Sequence, residues 1–222
     1  MKTLFPIRAR AGLSLPLLPL LPLLLSACSS DTPEPAPAPS VKVPELAAGT
    51  YAVSSGDAAN PSAGKYYAAA DGGRLLVLNN SAQQATAVYR RDGNGAWQAM
   101  PPATRDASVE LLSSSPIPSN AINAAAIARS YAVRLASGAV AAFSVNASGD
   151  IAAGNTSCKL TGKLAPSTLP YALKLSLAAS GCGDLPAQSE GLLVVDSDYS
   201  PAGFRLLASG ATAPVDLWAY PE

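Results

Sequence analysis

From Gly49 onward, apolar and polar residues alternate in short runs that Gly, Asn, Asp or Pro interrupt every few positions. A period of two places successive side chains on opposite faces of an extended strand, whereas a helix needs a period of about 3.6. The clearest run is 169–178. There Leu169, Tyr171, Leu173, Leu175 and Leu177 point one way, and Ala172, Lys174 and Ser176 the other. The same reading predicts strands over 50–54, 65–69, 74–79, 86–91, 96–100 and 108–113 in the first half. In the second half it predicts 130–136, 139–145, 157–164, 191–196, 203–209 and 215–220. Asp71-Gly72-Gly73 and Asp92-Gly93-Asn94-Gly95 are hairpin signals, because these residues tolerate the positive φ of tight turns. An all-β fold is therefore expected, an antiparallel barrel or sandwich of about 10–12 short strands.

One segment breaks the rhythm. Between Pro118 and Ser130 the chain is rich in alanine, and Ser119 is placed to cap a short helix over 120–129. Each half then holds about six strands around one irregular segment, with no residue-level match between the halves. Residues 49–222 are enough chain to bury a real core as one globular domain. The strands are too short, and their facing residues too often alanine, for a barrel that spans a membrane, which needs strands of about 9–11 residues with aromatic girdles.

Chemistry is constrained by an absence: the chain has no histidine. Ser-His-Asp and Cys-His mechanisms and His-ligated metals are excluded, leaving carboxylate, Ser-Lys or Tyr chemistry. Ser62-Ala63-Gly64-Lys65 spells S-x-x-K, a motif that works on a helix. Here it follows Asn60-Pro61 in a Gly-containing loop, so no catalysis is expected from it. Asp196-Ser197-Asp198 is the close carboxylate pair, read as a strand end and a turn start rather than a calcium or acid/base site. Trp97 and Trp218 each sit in a late strand of their half, with Tyr66, Tyr67, Tyr89 and Tyr220 near them in pattern. They are candidates for stacking on a sugar or an acyl chain, weighed against simple core packing. No cofactor and no metal is expected.

The N-terminal segment has the layout of an export signal. Lys2, Arg8 and Arg10 precede an apolar run from Ala11 to Leu25, shorter than the ~20 residues of a spanning helix and interrupted by Pro16, Pro19 and Pro22. It ends in Leu25-Ser26-Ala27-Cys28, which resembles the lipobox of bacterial lipoproteins. That resemblance implies cleavage after residue 27, acylation of Cys28, and anchorage by more than one acyl chain, which makes release slow. Ser29 after the cysteine implies sorting to the outer membrane. The segment from Gly149 through Cys158, Gly162, Cys182 and Gly191 to the last strand also resembles parts of uncharacterised proteobacterial surface lipoproteins, which place two cysteines around a hairpin. It carries no activity with it.

Three consequences follow from that leader. Residues 28–48 are expected to be the lipidated cysteine and a Pro/Ala-rich tether, whose run from Ser29 to Pro44 could extend ~50 Å at ~3.1 Å per residue. Removing 3 of the 15 basic residues leaves 12 against 15 acidic ones, a formal charge of −3 with no basic block, which argues against nucleic acid. In an oxidising compartment the remaining cysteines, Cys158 and Cys182, are expected to form a structural disulfide. The leading expectation is a non-enzymatic outer-membrane lipoprotein, held by membrane lipid through Cys28, whose β domain serves envelope structure or meets an envelope protein. The alternatives are a lipocalin-like carrier of a small apolar ligand or glycan, and a carboxylate-based hydrolase.

Overall fold

The computed structural model describes residues 38–222 except Asp184; Cys28, the leader and most of the tether lie outside the described residues. The fold starts earlier than the composition suggests. Val41–Lys42 form a short strand, β1, and Val43 is buried. Two valines in a Pro/Ala run are enough to join a core, so ordered structure reaches back into the 28–48 span expected to be tether. Ser40 is fixed by its N–H and its hydroxyl, both donating to the Asp106 carboxylate at 2.7 and 3.0 Å.

The first half is an open antiparallel sheet. Its strands are β2 (Gly49–Asp57), β3 (Asn60–Ala68), β4 (Arg74–Asn79), β5 (Ala85–Arg91) and β6 (Gln98–Met100), which form a meander. The short β7 (Ala107–Ser108) pairs in parallel with β1, and β8 (Leu111–Ile117) returns to lie beside β2. Period-two alternation gives this sheet two apolar faces. One buries Val53, Tyr66, Ala68, Leu76 and Leu78 beneath Val43, Leu46 and Trp97. The other carries Tyr67, Leu75, Val77 and Val88.

The second half is a closed barrel of eight antiparallel strands. In chain order these are β9 (Arg129–Arg134), β10 (Val140–Val145), β11 (Asp150–Ala153), β12 (Lys159–Pro166), β13 (Ala172–Ser180), β14 (Gln188–Val194), β15 (Phe204–Ser209) and β16 (Pro214–Pro221). Closure comes from β16 on β9, with Ala219 opposite Val133 and Tyr220 opposite Ala132. Eight strands leave a lumen just wide enough for side chains. It is filled by one contiguous cluster that includes Tyr131, Phe143, Leu160, Leu173, Leu175, Leu193, Phe204 and Leu206. Tyr131 and Phe204 rings meet with centroids 4.4 Å apart. Gly191 lets β14 lie close against β15: a Cβ there would lie 1.9 Å from the Leu207 carbonyl oxygen.

Charged residues such as Lys159, Lys163, Lys174 and Glu190 stand on the outside and are exposed. Apolar inside and charged outside is the reverse of a membrane-spanning barrel with an aqueous lumen. The sheet's second face packs on the outside of this barrel, against Ala172, Leu192, Val194 and Leu207. Residues 38–222 thus form one compact unit.

The all-β, antiparallel expectation of a barrel or sandwich holds, as a closed barrel with an added open sheet; two local ones do not. No helix spans 120–129. A single 3₁₀ turn at Ala124–Ile127 is capped by Asn123, not Ser119. Alanine favours helix only when a face is buried to support it, and within that turn only Ile127 is buried. The segment before it is held in place instead, as Asn120 accepts the Tyr171 N–H at 2.8 Å. That contact also explains why the Leu169 strand starts three residues late, at Ala172. Tyr171 has φ +55, which breaks the extended run.

Candidate interaction surface

The residues singled out for chemistry meet each other, but as a structural joint. Lys65 lies on β3, and its ammonium sits 3.1 Å from Asp196 and 2.6 Å from Asp198 on the barrel. The S-x-x-K spelling is therefore strand, which puts Ser62 and Lys65 on opposite faces. Asp196 also accepts the Asp198 N–H and caps the 3₁₀ turn Ser197–Tyr199. Burial works against the Lys65 charge, yet the hydrogen bonds and charges of Asp198 and Asp196 outweigh it and raise its pKa.

Beside this pair lies a residue that alternation did not single out. Arg205 is an outward position of β15 and is fully buried between barrel and sheet. It donates to Asp216 from Nε at 2.9 Å and from Nη2 at 2.6 Å, and to Asn79 Oδ1 on the sheet at 3.2 Å. Its guanidinium lies 4.5 Å from the Trp218 ring and 5.4 Å from Tyr199. Asp216 in turn accepts the Ala85 N–H at 2.7 Å. Tyr67 is buried here too, and burial pushes its hydroxyl well above the usual range. The only signal in sequence was an arginine inside the apolar run Phe204–Ser209.

The two tryptophans are both occupied by packing. Trp97 is buried, its Nε1–H donating to Glu45 at 3.3 Å while Arg91 covers the ring at 5.5 Å. Trp218 is half-buried at the Arg205 joint and meets Tyr199 edge-on at 4.9 Å. The predicted disulfide is present: Cys158 joins Cys182 across the end of the β12–β13 hairpin, and both are buried. Among the described residues no group of three or more Cys, Asp or Glu side chains comes together to hold a metal.

What the barrel leaves uncovered is its β16–β9–β10 wall. Tyr220 is 42% exposed and Val140 45%, two of the three large apolar side chains that reach solvent among the described residues. Register puts Tyr220 beside Ala132 and Ala132 beside Ala142, while Val140 pairs with Arg134 in the next row. The wall is thus a short apolar row with an aromatic anchor, bordered by exposed Arg134. Two clefts of about 350 and 240 Å³ also exist, and both lie outside the barrel near the 167–169 loop.

These features define a class: a two-part β protein with a filled eight-stranded barrel buttressed by an open sheet. No protein-family model matches the chain, and neither a curated protein nor a solved structure matches it.

Proposed function

We propose that this chain is a lipid-anchored outer-membrane lipoprotein whose non-enzymatic β body contacts another envelope protein through the β16–β9–β10 wall. One observation carries the reading: Tyr220 stands exposed beside Ala132 and Ala142, and exposed Val140 follows one row on, opposite Arg134. Aromatic and arginine side chains dominate contact energies between proteins, and exposed apolar groups clustered on a monomer mark such surfaces. The filled lumen weighs against the lipocalin-like carrier, which needs an internal cavity. Anchorage rests on the Leu25–Cys28 resemblance.

The test is photo-cross-linking in intact envelopes from position 140 of the full-length chain, followed by mass spectrometry. A discrete protein adduct is expected. Tyr220→Ser, at a cost of ~2 kcal/mol for a contact anchor, should reduce its yield roughly 30-fold while leaving unfolding unchanged. An adduct yield indifferent to Tyr220→Ser, or cross-links to lipid alone, would refute the wall as a protein contact. Palmitate labelling tests the anchor separately: equal labelling of the wild type and Cys28→Ala would remove it.

A further inference from the structure

The smaller cleft, of about 240 Å³, lies at the seam and is lined from both halves. The sheet contributes Asp71, Arg90 and Asp92, and the barrel Lys174 and Glu190. Its sheet wall is rigidly built. The turns Asp71–Gly73 and Asp92–Gly95 press together so closely that a Cβ on Gly72 would lie 2.2 Å from Asn94. Arg91 donates from Nε to the Gly72 carbonyl at 3.1 Å and from its two Nη atoms to Glu45, at 2.6 and 3.0 Å. Asp71 is equally committed, since the Gly73 N–H and Thr168 hold its carboxyl below the usual range.

That leaves two groups with no ion pair among the described residues. Lys174 stands opposite Leu192, and Glu190 opposite Ser176. They are diagonal neighbours on β13 and β14, within the ~7–8 Å at which long side chains can meet. They make no bond to each other, and both line the cleft. Facing them is the exposed Arg90–Asp92 pair, bonded at 2.7 Å.

Charge decides the ligand class. The lining holds three cations, Arg90, Arg91 and Lys174, against three carboxylates, Asp71, Asp92 and Glu190. A net anion or a net cation meets as much repulsion as attraction in such a site. A dipolar molecule can place each end on its complement. The volume suits something the size of an amino acid or dipeptide, at the small end of ligand pockets.

We propose that this cleft binds a small zwitterion, a ligand with a primary ammonium and an anionic group, the ammonium on Glu190 and the anion on Lys174. Free amino-acid termini and an ethanolamine phosphate headgroup share that chemistry. The inference stands apart from the wall contact and does not need it.

The full-length lipidated chain in detergent is titrated by calorimetry with alanyl-alanine and with glycerophosphoethanolamine, whose phosphodiester carries one negative charge, to separate the two sources. Ethanolamine, acetate and glucose serve as cation-only, anion-only and neutral probes. At least one zwitterion is expected to bind ten-fold or more tighter than all three single-character probes. Lys174→Met and Glu190→Gln, both exposed positions, should each weaken it ten-fold or more with unfolding unchanged. No zwitterion binding at millimolar concentration would overturn the proposal. So would equal binding of ethanolamine, acetate or glucose, or affinity indifferent to both substitutions.

Discussion

Arg205→Met is the substitution from which most can be learned. The guanidinium is fully buried, and its removal strands the Asp216 carboxylate, itself 9% exposed, with the Ala85 N–H as its remaining donor. Breaking a buried pair on one side typically costs 3–5 kcal/mol, about 2–4 powers of ten in the folding equilibrium. The lost stack on Trp218 belongs to the same unit and is not added separately. The second arm is the double variant Arg205→Met, Asp216→Asn, which removes the stranded charge while an amide oxygen can still accept from Ala85. It should recover at least ~2 kcal/mol of the loss, because apolar or neutral replacements of buried pairs are often near neutral. Urea unfolding followed by tryptophan fluorescence is well suited, since the chain has two tryptophans. Trp218 reports on the seam and Trp97 on the sheet core. A loss under ~1 kcal/mol in the single variant would show that the seam is wet. A double variant as unstable as the single one would show that the stranded charge is not the cause.

Replacing Cys158 and Cys182 together by alanine should lower stability by ~3 kcal/mol, the chain-entropy value for a loop of 24 residues' separation, read as a shifted urea midpoint. Gly191→Ala should cost ~1–3 kcal/mol or more, because the added methyl meets Leu207 backbone rather than a movable side chain; an unchanged midpoint would contradict the close approach of β14 to β15. Tyr66, Tyr67 and Tyr131 all have raised pKa values, with burial the first cause in each. A raised tyrosine contributes stability that is present below pH 10.0 and lost as pH climbs through the folded value. Lys65 acts in the same direction above 10.5, so ultraviolet titration should show these tyrosines ionising only together with alkaline unfolding.

Strands were legible wherever the turn chemistry was local. Arg74–Asn79 is bounded as its flanking Asp-Gly-Gly and Asn-Asn-Ser runs suggest, and the alternating leucines of β13 do face one lumen. What was not legible depends on distant partners. β1 and β7 are two residues each and exist only because they meet each other across the chain. Asn60–Gly64 has no apolar alternation, yet it is strand because it continues the hairpin with β2. Barrel and sandwich share one local pattern. The choice between them lies in the closing register of Pro221 on Tyr131, which no short window contains. The same limit hid the site. Val140 reads as an ordinary strand residue and Tyr220 as one of several patterned aromatics, and only closure shows that both face outward on one wall.

Burial is the common reason that Trp218 and Tyr220, two residues apart on β16, have different roles. Both side chains point to the outside of the barrel. Trp218 falls where β5 approaches and Arg205 needs a partner, so its ring is spent on the joint between sheet and barrel. Tyr220 lies two residues further along, beside Ala132 of β9, and stays exposed. The sheet therefore covers the apolar β13–β15 surface that would otherwise be exposed, and leaves the Tyr220 row open. The described chain begins on the sheet half, where Ser40 is held by the Asp106 clamp and Val41–Lys42 pair with β7. The wall lies on the barrel half, and the buried Arg205–Asp216–Asn79 joint is what ties that half to the sheet. A seam loosened by Arg205→Met should for that reason weaken cross-linking from position 140 even though no wall residue has changed.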